Sequence, residues 1–200
     1  MSLSLQQVKG RRVILSVVAL SGALLAGCAA PPIPTNYAPS SVMSANGALS
    51  IADFKYLPAE STAERKVASN VIRNTAIGTI EIDRDVNKYI RDAVFAELRF
   101  VGIKTNDNSQ VLSGEIQEFL IDDLGYSVDW TLRIKYVITD AATKAVTYDA
   151  VKETKRKTAK FVNTFGAMNE TVKLNVEDLL NDARFQAAIA TKGAQVSAAR

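Results

Sequence analysis

The segment from Val128 to Ile138 reads VDWTLRIKYVI. Trp130, Leu132, Ile134, Tyr136 and Ile138 fall on alternate positions, with Thr131, Arg133 and Lys135 between them. A period of two puts the first set on one face of a strand and the second on the other. A strand with one dry and one wet face belongs to an antiparallel sheet covered on a single side. The segment before it, VLSGEIQEFLI (residues 111–121), also alternates. Strict alternation puts Leu112, Gly114, Ile116, Glu118 and Leu120 together, opposite Val111, Ser113, Glu115, Gln117 and Phe119. The segment after it, AVTYDAVKETKRKTAK (residues 145–160), reads as a third long strand that grows more polar along its length. Turn-forming residues separate the three, so they are expected to form antiparallel neighbours.

The dry face needs a cover. In DVNKYIRDAVFAELRFVG, Val86, Ile90, Ala93, Val94 and Leu98 recur at helical spacing. Asp83 or Asp85 precedes them as a cap, and Gly102 follows as a stop. In ETVKLNVEDLLNDARFQAAIA (residues 170–190), Val172, Val176, Leu179, Leu180, Ala183 and Ala187 form one stripe. Upstream, LSIADFKYL (residues 49–57) ends at Pro58 and reads as the first strand. IGTIEI (residues 77–82) reads as a short second strand, with residues 59–76 as a loop between them. The expected fold is α+β: an antiparallel-rich sheet with two main helices packed on one face. A single domain spans residues 49–190, long enough for one core. Residues 191–200 are expected to be a disordered tail.

The N-terminus follows different rules. MSLSLQQVKGRR carries three cations and no acid, and Val13–Gly27 carries no charge at all. A basic start and a 15-residue apolar run have the layout of a signal peptide, and a membrane span needs about 20 residues. The run ends in Leu25, Ala26, Gly27 and Cys28, the lipobox pattern of bacterial lipoproteins. There the Cys28 thiol is alkylated by a diacylglycerol, and a signal peptidase that recognises Leu25, Ala26 and Gly27 cuts before Cys28. Residues 1–27 are then removed, and an acyl chain is added to the new amino group. Two or three chains on one cysteine give lasting membrane attachment, where one chain binds only marginally. Ala29, where enterobacterial inner-membrane lipoproteins tend to carry Asp, favours the outer membrane. Residues 28–48 hold Pro31, Pro32, Pro34 and Pro39 among small polar residues. They read as a flexible, lipidated tether, with an irregular lead-in lying on the domain as the alternative.

Processing changes the charge balance. Lys9, Arg11 and Arg12 leave with the signal peptide, so the formal +3 becomes 21 basic against 21 acidic side chains. A neutral chain lacks the positive field that non-specific nucleic-acid binding needs. The chain contains no histidine, and its one cysteine is the lipidated residue. Ser–His–Asp and Cys–His catalysis and histidine-based zinc sites are thereby excluded. No cofactor is expected beyond the covalent lipid on Cys28.

The order of elements, with phrases such as LRFVGI, LSGEIQEF and WTLRIKYVI, resembles the YajG type of small bacterial lipoproteins over residues 49–190. In layout the chain is also similar to auxiliary lipoproteins of envelope ABC transporters. The resemblance implies a fold and an envelope location, and it brings no catalytic residue with it.

Three side-chain groups remain to weigh. Asp122 and Asp123 before Gly125 offer two carboxylates without calcium-loop spacing, and read as a solvated hairpin turn. Glu115 and Glu118, on a regular strand, face opposite ways and cannot form the carboxylate pair of a glycosidase. Lys152, Lys155, Arg156, Lys157 and Lys160 form the one local charge cluster. It reads as an edge strand guarded by lysines or as a contact for an anionic envelope partner. Trp130 and Tyr136 read as core. The expected function is that of a non-catalytic interaction or assembly lipoprotein of the outer membrane, its domain in the periplasm. Its expected partners are the membrane, through the lipid, and an envelope protein or anionic envelope polymer. An auxiliary transporter subunit is the second reading, and an envelope hydrolase a remote third.

Overall fold

The computed structural model describes residues 32–60, 62, 65–75, 79–160 and 162–190. In chain order these form β1 (Ser50–Tyr56), β2 (Val71–Asn74), β3 (Ile80–Glu81), α1 (Val86–Phe100), β4 (Gln110–Asp122), β5 (Ser127–Asp140), β6 (Val146–Ala159), α2 (Thr164–Leu180) and α3 (Ala183–Ile189). One six-stranded sheet runs β3-β2-β4-β5-β6, and β1 joins it on β4. The β4–β5 and β5–β6 pairs are antiparallel, as the alternation requires. Trp130, Leu132, Ile134, Tyr136 and Ile138 are all buried on the helix side. Each such side chain contributes about 1.5–3 kcal/mol on leaving water. The sheet is mixed, because β1 and β2 lie parallel to β4, end to end along the same edge.

Strand β4 departs from strict alternation. Its pairing with β5 skips at Gln117, between Ile116 and Glu118. This β-bulge inserts one residue and exchanges the two faces beyond it. Leu112 and Ile116 are buried before it, Phe119 and Ile121 after it, and Leu120 turns away from the core. Glu115 and Glu118 consequently share the open face, contrary to the alternating reading, and Glu118 pairs with Arg73 at 3.4 Å. Gly114 sits where the Phe54 ring crosses β4, and a Cβ there would lie 2.5 Å from the ring.

Helix α1 buries Val86, Ile90, Ala93, Val94 and Leu98, as their spacing predicts. It ends at Gly102 (φ 108°), where Ile103 N–H donates to Leu98 O and Gly102 N–H to Arg99 O. These two bonds close the helix in a Schellman motif. The C-terminal helix differs from expectation at both ends. It starts earlier, at Thr164, because the Asn163 side chain accepts the N–H groups of Phe165 and Gly166. It also breaks at Asn181–Asp182, and Asp182 caps a new helix by accepting from Arg184 N–H. The break rotates the stripe, so Phe185 and Ile189 are buried while Ala183 and Ala187 are exposed. Strand β2 lies in the stretch read from sequence as a loop. Of the expected strand 77–82, Ile80–Glu81 form β3.

Residues 32–48, expected from sequence to be a tether outside the domain, instead lie on it as an irregular strap. Ile33 bridges Ile82 in parallel, and Ala48 bridges Lys104. Between them the buried Glu97 of α1 holds the strap: its carboxylate accepts Tyr37 Oη–H at 2.6 Å, Ser40 N–H at 3.0 Å and Ser41 N–H at 3.3 Å. Burial, then the Glu97 carboxylate, pushes the Tyr37 hydroxyl well above its ordinary pKa, so it remains a donor. Ser41 Oγ donates to Glu177 of α2, and Thr35 to Asp83. The expected signal peptide, the lipobox, residues 28–31 and the tail 191–200 lie outside the described residues.

A hydrogen bond to a charged group contributes about 1.5–3 kcal/mol, and unpaired buried donors carry their own penalty. Glu97→Ala is therefore expected to lower unfolding stability by about 2–4 kcal/mol and to open residues 32–48 to limited proteolysis. A wild-type denaturation midpoint with an uncut strap would remove Glu97 as the latch.

Candidate functional site

The five cations singled out on β6 do not converge on one point. Alternation divides them, because β6 is an edge strand with one face under the helices and one in solvent. Lys152 and Arg156 lie on the helix side. Lys152 Nζ stands 3.1 Å from Asp182 and 3.8 Å from Asp178. Arg156 donates to the Ala167 carbonyl of α2 at 3.0 Å. On the open face Lys155 pairs with Glu153 at 2.6 Å, and Lys157 reaches Asp129 at 3.5 Å. Lys160, just past the strand, donates to the carbonyls of Asp123 (3.3 Å) and Gly125 (3.1 Å) and pairs with the Asp123 carboxylate. Each cation thus has an internal partner, and Lys155 and Lys157 are the two of the five that stand well out in solvent.

The open face of the sheet continues this arrangement. Arg133 pairs with Glu153 at 2.8 Å and Lys135 with Asp149 at 3.0 Å, across β5 and β6. Cross-strand pairs of opposite charge keep that face wetted and the register fixed. Among the described residues no three metal-ligating side chains are gathered, and Asp122 is taken up by Thr75 Oγ1–H and Leu124 N–H.

Two polar groups that pattern reading missed lie under the helices. Asn175 is fully buried on α2. It accepts Tyr136 Oη–H at 2.9 Å and donates to Leu132 O, Lys152 O and Thr154 Oγ1. It thereby ties α2 to β5 and β6 at once. Asp182 takes Tyr148 Oη–H at 2.9 Å beside Lys152. Burial works to raise its pKa. The Tyr148 hydroxyl, the Lys152 ammonium and the Arg184 N–H outweigh burial and hold the carboxyl well below the usual range. The sequence signal for Asp182 was the polar pair Asn181–Asp182 interrupting an apolar stripe, a helix-cap pattern. For Asn175 and Glu97 the signal was a polar residue within a helix's buried stripe.

No family model matches the chain, and no curated protein matches it in sequence. In fold it is similar to a Xanthomonas campestris protein of the DUF330 family, with a TM-score of 0.59 at 12% identity, covering 84% of this chain and 99% of that one. It is also similar to a hypothetical protein of Chlamydia trachomatis, with a TM-score of 0.50 at 10% identity over 72% and 98% of the two chains. A lipoprotein of Neisseria meningitidis matches more loosely, with a TM-score of 0.40 at 10% identity over 68% and 99%. Likeness at these identities speaks for the fold alone.

Two outcomes follow from the site's electrostatics. A depressed carboxyl stabilises the fold above its unfolded pKa of about 3.9, and that stability is lost as pH falls toward the folded value. Asp182→Asn is therefore expected to be less stable than wild type at pH 7 and to lose less stability on acidification below about pH 4. Parallel stability–pH curves for the two proteins would contradict the assignment. Reversing both Lys155 and Lys157 to Glu removes only exposed pairs. It is expected to change unfolding stability by less than about 1 kcal/mol per site in denaturant titration; a larger loss would make them structural.

Proposed function

We propose that this chain is an envelope lipoprotein that works by binding and not by catalysis. It is cleaved before Cys28, acylated there, and held by its lipid on the inner leaflet of the outer membrane with the domain in the periplasm. The observation that carries this reading is the lipobox Leu25–Cys28 after a basic start and a charge-free run. Each part has a chemical reason: cations hold the start in the cytoplasm, the apolar run enters the membrane, and the cysteine takes the lipid. Ala29 at the following position favours the outer membrane. The YajG-type resemblance points the same way and stands on the sequence alone. Binding is the role assigned to the domain because two solvent-facing cations, Lys155 and Lys157, stand on its open face. The partner is an envelope protein or an anionic envelope polymer, met by the solvent-facing Lys155 and Lys157.

Cys28→Ser is expected to accumulate as full-length precursor and to incorporate no labelled fatty acid, while wild type is shortened and labelled. Normal palmitate incorporation by the variant would overturn the lipoprotein reading.

A further inference from the structure

We propose that the β4–β5 hairpin end of the sheet is a membrane-docking surface, with Leu124 and Tyr126 entering the interfacial layer of the bilayer that holds the Cys28 lipid. This rests on the lipoprotein reading and adds to it an orientation of the domain.

The first observation is apolar exposure. Leu124 is 71% exposed and Tyr126 fully so, both in the loop joining β4 to β5. Val162, 40% exposed, lies at the same end, since its N–H donates to the carbonyl of Ala159, which pairs with Ser127 at the start of β5. The other exposed large apolar side chains among the described residues, Val42, Phe100, Val146 and Val151, are spread over the strap, α1 and β6. Lys160 holds the loop in shape by donating to the carbonyls of Asp123 and Gly125. A tyrosine beside an aliphatic residue on a constrained loop suits a membrane interface, where an aromatic ring keeps its hydroxyl wet and its body dry.

The second observation is where the chain leaves the domain. Ile33 bridges Ile82 in parallel, β3 runs antiparallel to β2, and β2 runs parallel to β4. At Ile33 the strap therefore runs against β4, and its N-terminal side faces the hairpin end. Ile82 lies opposite Asn70, and Arg73 pairs with Leu120. Ile33 thus stands about five residue rows short of Asp122, roughly 17 Å at strand rise. Cys28 lies five positions before Ile33, a reach of at most about 18 Å. Because Ile33 is docked, this chain length allows Cys28 to reach the level of the hairpin end and is too short for the opposite end of β4, about seven rows away.

Charge is secondary at this end. Lys157 and Lys160 are matched by Asp129 and Asp123. Docking should therefore occur on zwitterionic as well as anionic bilayers.

The test uses the processed, full-length lipoprotein in vesicles. With Cys28 blocked as a thioether, an introduced cysteine is the only free thiol. An environment-sensitive dye is attached at Leu124→Cys, Tyr126→Cys or Asn108→Cys, the last at the other end of β4. Quenching by nitroxide lipids is read in phosphatidylcholine vesicles with and without phosphatidylglycerol. The expected result is quenching several-fold stronger at 124 and 126 than at 108 in both lipid mixtures. In a Leu124→Ser, Tyr126→Ser protein labelled at Val162→Cys, quenching should fall several-fold from that of the same label with Leu124 and Tyr126 intact. Equal quenching at 124, 126 and 108 in vesicle-bound protein would overturn the docking surface and leave the anchor standing. Dye uptake by the parent, which has no introduced thiol, would show Cys28 unmodified and remove both.

Discussion

The bulge at Gln117 is the constraint on which the sheet depends. Strand β4 has thirteen residues, a length over which a twisted strand drifts away from a single covering layer. The extra residue restores Phe119 and Ile121 to the core after Ile116. It also falls between the two partners on the outer edge of β4, after the last residue paired with β1 and before the first paired with β2. One irregularity thus lets a single long strand carry two short parallel neighbours in succession. Beyond it Leu120 and its neighbour Arg73 face away from the core, while Phe119, Ile121 and the fully buried Ile72 face into it.

Around that sheet, buried polar groups are used for holding. Glu97 fastens the strap, Asp182 fastens the α2–α3 corner to β6, and Asn175 fastens α2 to two strands. Buried polar groups of this kind cost stability unless every donor and acceptor is met. What they supply is a fixed placement of helices on a face of interchangeable aliphatic side chains. The open face uses exposed pairs, each worth little alone, and the long edge strand β6 is protected by lysines in the way natural edges are.

The parts of this fold legible in the sequence were those governed by one period over many residues. The three long strands and α1 follow from alternation and from the Val86–Leu98 stripe. Strand β2 has only Val71–Asn74 to announce it, too few residues for any period to register. The bulge is invisible to a rule that assumes alternation, which groups Leu120 and Glu118 with Leu112 and Ile116 and sets Glu118 opposite Glu115. The cations of β6 were visible as a cluster, but their partners were not. Lys152 meets Asp182, thirty residues on, only after α2 has folded back over the sheet. The strap was ambiguous because prolines mark an absence of regular structure equally well in a free spacer and in a docked one. What decides between them is Glu97, sixty residues away from Tyr37.

The parallel pairing of β1 with β4 has a consequence for the order of events in folding. Ser50 pairs with Val111 and Tyr56 with Ile116, so the first strand made has no partner until some sixty more residues have followed it. A chain that emerges N-terminus first presents the strap and β1 long before their binding edges exist. Loop closure of that length must precede any reward from the contact, which slows folding and leaves an apolar strand exposed in the meantime. The β4–β5–β6 meander closes through local turns and can assemble as soon as it is complete. Pairing of β1 thus requires β4 to be present, and docking of the strap requires Glu97 of α1.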